Sequence, residues 1–507
     1  MMKRALFSLY DTSRAKEFAS VLIAAGWEII ASKETVRVLN DSRLPVVDIA
    51  DFTNINVNYG FPPTLHPKIE AALTDSQSPH RIDLVYVINY PLSVGNDIGG
   101  RTLLALAAKG KRMPVTSIDD MASLIDQIKI KGKVSKKFHN ELLDKTNALI
   151  AEHFFGLISN KEKYDTVFGV FNKILAHGEN PYQAPADLFV CRTEDSLSLG
   201  RFQQNSGDLP CFTNLADSDC LIQTISLCAQ AYKLHYGKIP YICAAAKHGN
   251  VCGLAIDWNS SGLSIEKALF TNPKAIWGGE VITNFSIDDN LAQHLLKSQK
   301  RQEILDSAFW MLDVIIAPKF TKQAFKILGK RKQRKLLQNP ALFDPFLSKE
   351  RYSHRFVRGG FLRQPTANYI FNLQEAKFVG CRLSSQEIDS LIIAWTAAYS
   401  SNQGGNELAL AKNRALISCA GGPSTVEAAQ LAVYKAKYLK KNLKDSVFCA
   451  DAFFPFTDAP QLLIESGISA GVVPCGGKFF KKVKRLFKEN NISVFYLPRQ
   501  YRGFCRH

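Results

Sequence analysis

Apolar positions along the first hundred residues follow two rhythms. Short β-like runs at residues 5–9, 28–31, 45–49 and the strongly β-branched 83–88 read as strands, while residues 15–25 carry the spacing of a helix that stops at Gly26. Strand–helix alternation with short links predicts a parallel α/β sheet with helices on its faces. Ligands of such sheets sit beyond the carboxyl ends of strands, which singles out Ser8, Ser32 and Tyr90. From residue 134 to 160 the period is helical, with Leu142, Leu143, Leu149, Ile150, Phe154 and Phe155 marking apolar faces. A longer α/β region follows, with strands expected at 241–246, 314–317, 408–411, 447–450 and 471–473 and helices at 424–439 and 459–466. No short repeat stands out.

Composition changes this picture little. A chain of 507 residues with 46% hydrophobic and 21% charged residues is globular, which excludes intrinsic disorder as a description of the whole. The net charge of +17 is concentrated in patches at residues 129–137, 330–335 and 478–488, suited to nucleic acid, a membrane surface or polyanionic small molecules, or simply to solvated helix faces. No zinc-finger spacing or RNA-recognition signature strengthens the nucleic-acid reading. The eleven cysteines, none before Cys191, include no CxxC pair and read as reduced core residues rather than a disulfide framework or metal site. Met1-Met2-Lys3-Arg4 runs into a strand without a signal-peptide core, and the apolar stretch 391–398 is about half a membrane span. A soluble cytoplasmic protein is expected.

Lys247-His248 closes one apolar run and precedes Gly249, Asn250 and Gly253. A strand that ends in Lys-His presents a cation and a titratable imidazole at a sheet edge, suited to charge stabilisation and proton movement. A solvated turn has the same pattern. Asp451-Ala452-Phe453-Phe454-Pro455-Phe456 follows another strand and suits a slot for a planar heterocycle, with Asp458 reading ring nitrogens, or plain core packing. Asp97-Ile98-Gly99-Gly100 opens a helix whose N–H groups can receive an anion.

The order of these segments carries more than each alone. Thr64-Leu65-His66-Pro67-Lys68-Ile69, Asn89-Tyr90-Pro91, Asp97-Ile98-Gly99-Gly100, Gly178-Glu179-Asn180-Pro181, Lys247-His248, Ile315-Ile316-Ala317-Pro318, Gly359-Gly360 and the Asp451 segment succeed one another before a Phe/Arg/His-rich end. Across nearly the whole chain this resembles the bifunctional purine-biosynthesis family of aminoimidazole-carboxamide ribonucleotide (AICAR) formyltransferase/IMP cyclohydrolase. The resemblance implies an N-terminal methylglyoxal-synthase-like doubly wound domain over 1–133, a helical connector over 134–165, and a formyltransferase domain over 166–507 built of two cytidine-deaminase-like α/β subdomains.

It also implies residue roles. In the larger region 10-formyltetrahydrofolate donates its formyl group to AICAR; His248 matches a proton shuttle, Lys247 a charge stabiliser and Asn406 the family's catalytic asparagine. Asn214 matches a substrate-contacting asparagine, Phe453, Pro455 and Asp458 match positions around the substrate rings and pterin, and Arg502 and Phe504 match the C-terminal arginine and stacking aromatic. In the first domain Tyr90, Asp97 and Lys109 match catalytic residues that close the formylated ring. A homodimer with sites between protomers is implied, with neither membrane nor nucleic-acid partner and no metal; whether a monovalent cation binds stays open.

Departures from the pattern fall unevenly. Ala176 and Thr425 stand where the family carries arginines, and Val251 replaces a proline. Each lost charge-assisted contact costs roughly 1.5–3 kcal/mol unless a nearby lysine replaces it. The cyclohydrolase half is altered further: Pro63 occupies the position of a catalytic lysine, and Ser32-Lys33-Glu34-Thr35 replaces a glycine-bearing phosphate cradle. The element near the first strand reads Tyr10-Asp11-Thr12-Ser13, and the segment from Tyr90 to Asp97 is short. The expectation is a formyltransferase with a weakened cyclohydrolase. The alternatives are full bifunctionality, with Lys33 supplying phosphate charge, and a non-catalytic paralogue binding nucleotide or RNA.

Overall fold

The computed structural model describes residues 2–55, 57, 60–159, 162–191 and 193–502, with the side chain of Lys33 left aside. The chain divides into two compact units, Met1–Phe168 and Gly169–His507.

In the first unit five strands, β1 (Lys3–Leu9), β2 (Trp27–Ala31), β3 (Val47–Asp48), β4 (Leu84–Ile88) and β5 (Met113–Val115), form one sheet in the order β3-β2-β1-β4-β5. Every pairing is parallel. Residues 45–49, expected as a strand, contribute only two, because Asp48 accepts the Ala50 N–H and starts a helix at Ile49. The central strand is buried on both faces: Ala5, Phe7 and Leu9 join one core cluster and Leu6 the other. That explains its contiguous rather than alternating apolar pattern. Helices α1 (Ala15–Ala24) and α6 (Ile118–Lys131) contribute to the first cluster. Helices α3 (Ile49–Thr53), α4 (Pro67–Thr74) and α5 (Ile98–Lys109) fill the second. Helix α2 (Lys33–Asp41) follows β2, and α7 (Lys136–Gly156) packs on α5 and β5.

In the second unit a short ribbon, β6 (Val170–Leu175) with β7 (Ala186–Val190), precedes one twelve-stranded sheet. Its first half holds β8 (Gln203–Ser206), the hairpin β9 (Tyr241–Lys247) and β10 (Asn250–Asp257), then β11 (Gly279–Thr283), β12 (Leu312–Ala317) and β13 (Lys335–Gln338). Between them run helices α8 (Phe212–Tyr236), α9 (Ser261–Leu269), α10 (Asp289–Leu296), α11 (Gln299–Leu305) and α12 (Lys322–Leu328). A second ribbon, β14 (Tyr352–Val357) with β15 (Gly360–Pro365), leads to the other half. That half comprises β16 (Lys377–Val379), the hairpin β17 (Asn406–Lys412) and β18 (Ala415–Gly422), β19 (Ser446–Ala450), β20 (Ile468–Pro474) and β21 (Ser493–Leu497), with helices α13 (Ser385–Ser400), α14 (Thr425–Tyr438), α15 (Asp458–Glu465) and α16 (Phe480–Glu489).

The strand order β16-β21-β20-β19-β17-β18-β10-β9-β11-β12-β13-β8 is a mirror about the antiparallel contact of β10 with β18 at Ala255 and Ala415. Each half repeats a hairpin, an antiparallel third strand, two parallel strands and an antiparallel edge. Helices α8 and α13 pack together over one face in a cluster shared by both halves, and separate clusters fill the other face of each half. The apolar stretch 391–398 lies inside α13, whose residues from Asp389 to Ser400 are all buried. No described helix is long and apolar enough to cross a membrane.

The charge patches are not all surface. Within 330–335 the Arg334 guanidinium is buried and donates to the carbonyls of Leu312, Leu328 and Trp310, and Lys335 is buried as well. Burial pulls the Arg334 guanidinium down to about 10. Ten described cysteines are free; Cys220, Cys228, Cys243, Cys419 and Cys449 are buried, whereas Cys191 and Cys381 are exposed.

Candidate functional site

Lys247 ends β9 and His248 turns the chain back into β10 with a left-handed backbone, φ 56°, followed by Gly249 at φ 73°. A side chain in that region is strained by about 1–2 kcal/mol, so the surroundings must hold it there. They do so through Asp217 of α8, whose buried carboxylate accepts the N–H of His248 at 2.8 Å and of Gly249 at 2.5 Å. The imidazole itself is exposed. The Lys247 ammonium donates to the Trp277 carbonyl. Beside the turn opens a cavity of about 390 Å³ whose lining includes Lys247, His248, Lys274, Gln403, Cys419 and Lys435.

Asn214, expected to contact substrate, is buried and already bonded. Its Oδ1 accepts the Cys211 N–H at 3.2 Å at the start of α8, and its Nδ2 donates to Glu280 Oε1 at 2.9 Å. Glu280 sits in β11 opposite Ala246. Burial, then the neighbouring Asp217 charge, push its carboxyl well above the usual range.

Asn406 opens β17 in the other half and does not line the cavity; its Nδ2 donates to the Gly422 carbonyl at 3.1 Å. Next to it, Glu407 and Asp451 are buried side by side. Asp451 Oδ1 accepts the Glu407 N–H at 2.9 Å, and Glu407 Oε1 accepts the Gln403 N–H at 2.5 Å. Gln403 connects this group back to the cavity, because its Oε1 accepts the Lys435 ammonium at 2.7 Å. Lys435 also donates to the Cys419 carbonyl at 2.9 Å, and burial lowers its pKa.

The aromatic segment after Asp451 divides its labour. Phe454 is core, packed against Phe448 and Phe487. Phe453 is half-buried against Gly476 and Gly477, where an added Cβ would lie 2.6 Å and 3.0 Å from the ring, and the Arg502 guanidinium stands 5.7 Å from its centroid. Pro455 is half-buried and Asp458 is exposed at the start of α15. Phe504 lies outside the described residues. Ala176 and Thr425 place no cation; Thr425 is the buried first residue of α14.

In the first unit the sheet order reverses between β1 and β4, the place where such sheets bind ligands. Beyond the ends of those strands Tyr10 and Tyr90 meet edge to face at 6.5 Å, and the Tyr90 hydroxyl donates to the Asn96 carbonyl at 3.2 Å. Asp97 caps α5, accepting the Gly100 N–H at 2.8 Å. An added Cβ on Gly99 would meet the Thr64 hydroxyl at 2.6 Å, so the Pro63-Thr64 segment reaches the same helix end. Lys109 is not brought there. It ends α5 twelve residues after Asp97, about 18 Å along the axis, exposed and 3.8 Å from Glu70. Arg101 is buried and donates to the Asp97 carbonyl at 3.1 Å.

Asp217, Glu280, Glu407 and Lys435 were not among the expected site residues. The available signal was an acid interrupting an apolar run, as in Gly279-Glu280-Val281-Ile282 and Asn406-Glu407-Leu408-Ala409. Among the described residues no group of three or more His, Cys, Asp or Glu is placed to hold a metal ion.

Residues 108–435 match the family model described as AICARFT/IMPCHase bienzyme. The chain is 28% identical to the bifunctional purine biosynthesis protein PurH of Persephonella marina, over 98% of each chain. It is 30% identical to the PurH protein of Fusobacterium nucleatum, again over 98% of each. With that of Acetivibrio thermocellus the identity is 29%, over 94% of this chain and 95% of the relative.

Proposed function

The chain belongs to the AICARFT/IMPCHase bienzyme family, and from that membership we propose that its second unit transfers the formyl group of 10-formyltetrahydrofolate to AICAR in purine biosynthesis, while ring closure by its first unit is impaired. In this reading the second unit is the pair of cytidine-deaminase-like subdomains and the first the methylglyoxal-synthase-like domain, in a cytoplasmic homodimer.

One observation carries the transferase half: an exposed His248 on a strained turn that a buried carboxylate holds, beside a cavity that Lys247 shares. In the proposed reaction the AICAR amine attacks the formyl carbon and the bond from that carbon to the folate nitrogen breaks. The His248 imidazole takes the amine proton and returns it to the departing nitrogen. Lys247, released from the Trp277 carbonyl, offsets the oxyanion; Asn406, matched to the family's catalytic asparagine, lies outside this cavity and is assigned no step in it. The half-buried Phe453, with Arg502 and Pro455, supplies the wall for the pterin, and Lys435 and Lys274 add positive charge to a cavity that lacks the family's arginines.

The reading of an impaired half rests on Pro63, which offers neither charge nor N–H, and on the altered Ser32-Lys33-Glu34-Thr35 cradle. Tyr90 and Asp97 remain together, so positioning alone supports at most slow closure.

The test is an incubation of purified protein with AICAR and 10-formyltetrahydrofolate, followed by chromatographic separation of AICAR, formyl-AICAR and IMP. Formyl-AICAR is expected to accumulate without IMP, and His248→Ala to slow its formation about a hundredfold or more. IMP that depends on His248 would overturn the impaired half. No product at all would overturn the transferase half and favour a binding paralogue.

A further inference from the structure

We infer that Asp217 is the positioning residue of the larger unit's reaction centre, its carboxylate clamping the Lys247–His248 turn in the conformation that presents the imidazole. The inference rests on the transferase reading of His248.

Two consecutive amides converge on a single carboxylate, and the first belongs to a non-glycine residue with φ 56°. Left-handed backbone at such a residue persists only where the surroundings over-determine it. Here the strand pairing fixes both flanks, with Lys247 opposite Asn250, but the ladder leaves the N–H groups of His248 and Gly249 to Asp217. Charge-assisted bonds of this kind are about twice as strong as neutral ones.

The clamp is itself held from behind. Asp217 lies on a buried face of α8, three residues after Asn214, whose amide is fixed at one end by Cys211 and at the other by Glu280. Glu280 lies beside Asp217, and burial followed by the Asp217 charge raises the Glu280 carboxyl well above the usual range, which favours its protonated form. Glu280 also pairs with Ala246 across the ladder, one residue before the turn begins. Asn214, Glu280 and Asp217 therefore form a supporting layer beneath the half-buried Lys247 and the exposed His248. This assigns Asn214 a place in that layer, not in contact with substrate.

The test compares Asp217→Asn and Asp217→Glu with the unaltered protein. In the Asn variant one amide N–H faces an –NH₂ group; hydrogen–deuterium exchange in the peptide spanning residues 245–251 is expected to quicken about tenfold or more, with the other strands unchanged. For formyl transfer kcat is expected to fall about tenfold or more while the KM for AICAR stays within about twofold. In a His248→Ala background the same substitution is expected to have no further effect. The Glu variant keeps the charge and fold but moves the carboxylate, and is expected to lower kcat without loss of thermal stability. Unchanged exchange at the turn, or an equal loss of activity with and without His248, overturns the clamp. If the unaltered protein transfers no formyl group, the transferase reading fails, and the exchange result alone decides the clamp.

Discussion

Replacing Glu407 by glutamine should make the second unit's stability less dependent on pH. Burial lifts the Glu407 carboxyl from its ordinary 4.5 to about 7, and burial together with the Glu407 charge lifts Asp451 from 3.8 to about 8. The Gln403 N–H and the Lys435 ammonium both favour the ionised Glu407, and neither overcomes burial. Glu407 Oε2 and Asp451 Oδ2 have no hydrogen-bond partner, so nothing rewards a second negative charge. The folded state therefore binds a proton that the unfolded chain releases once pH exceeds the ordinary carboxylate range. For a carboxyl raised on folding, stability is highest below the unfolded value and is lost as pH climbs towards the folded one.

One retained proton changes stability by about 1.4 kcal/mol per pH unit, so the interval from 4.5 to about 7 corresponds to about 3 kcal/mol. Glu407→Gln keeps an acceptor for the Gln403 N–H and removes this titration. Its melting temperature should gain on the unaltered protein by roughly 3–6 °C between about pH 5 and pH 7.5. Tryptophan fluorescence reads the relevant unit, since Trp258, Trp277, Trp310 and Trp395 lie there and only Trp27 in the first. Parallel melting curves across that range would show that Glu407 is ionised in the fold and refute the reasoning.

Other consequences concern separate places. Asp97→Ala removes the acceptor of the Gly100 N–H and should destabilise the first unit by about 1 kcal/mol in urea unfolding, whatever it does to ring closure. Arg334→Met leaves the carbonyls of Leu312, Leu328 and Trp310 without their donor and should lower stability by about 3 kcal/mol or more, read from Trp310 fluorescence. Gly476→Ala drives a Cβ to 2.6 Å from the Phe453 ring, so steady-state kinetics should show the KM for the formyl donor rising about fivefold or more, with a smaller change for AICAR.

The elements legible in the sequence were those whose pattern local physics decides. Helix α1 ends beside Gly26 and β4 is a β-branched run, and both appear within a residue or two of expectation. Residues 45–49 misled because Asp48 acts as a cap, which converts Ile49 from strand to helix. The mirror of the twelve-stranded sheet left no readable repeat, since the two halves share topology but fill matching positions with different residues. At the site, the Lys247-His248 turn was legible because a cation, a ring and a glycine mark a strand end. Its support was not. Asp217 lies thirty residues earlier, on a helix whose residues are buried around much of its circumference, and nothing local distinguishes it from Asp219 two positions on. Lys109 shows what order along the chain leaves open: it matches the family's motif, and the structure sets it at the far end of the helix that Asp97 caps, 3.8 Å from Glu70.

The two units differ in how they pay for charge, and that difference orders the functional reading. In the second unit two buried carboxyl pairs flank corresponding hairpins, Asp217 with Glu280 and Glu407 with Asp451, and in each pair burial and charge favour keeping a proton. Such pairs are destabilising unless their remaining atoms fix something, and here they fix backbone: the His248 turn in one half and the entry to β17 in the other. The first unit has the opposite balance. The Arg101 guanidinium near Asp97 is turned onto the Asp97 carbonyl, Lys109 lies a helix length away, and Pro63 cannot supply charge. In the first unit Tyr90 and the capping Asp97 meet at the sheet's switch point, and the buried cation beside them, Arg101, is spent on a backbone carbonyl rather than held free.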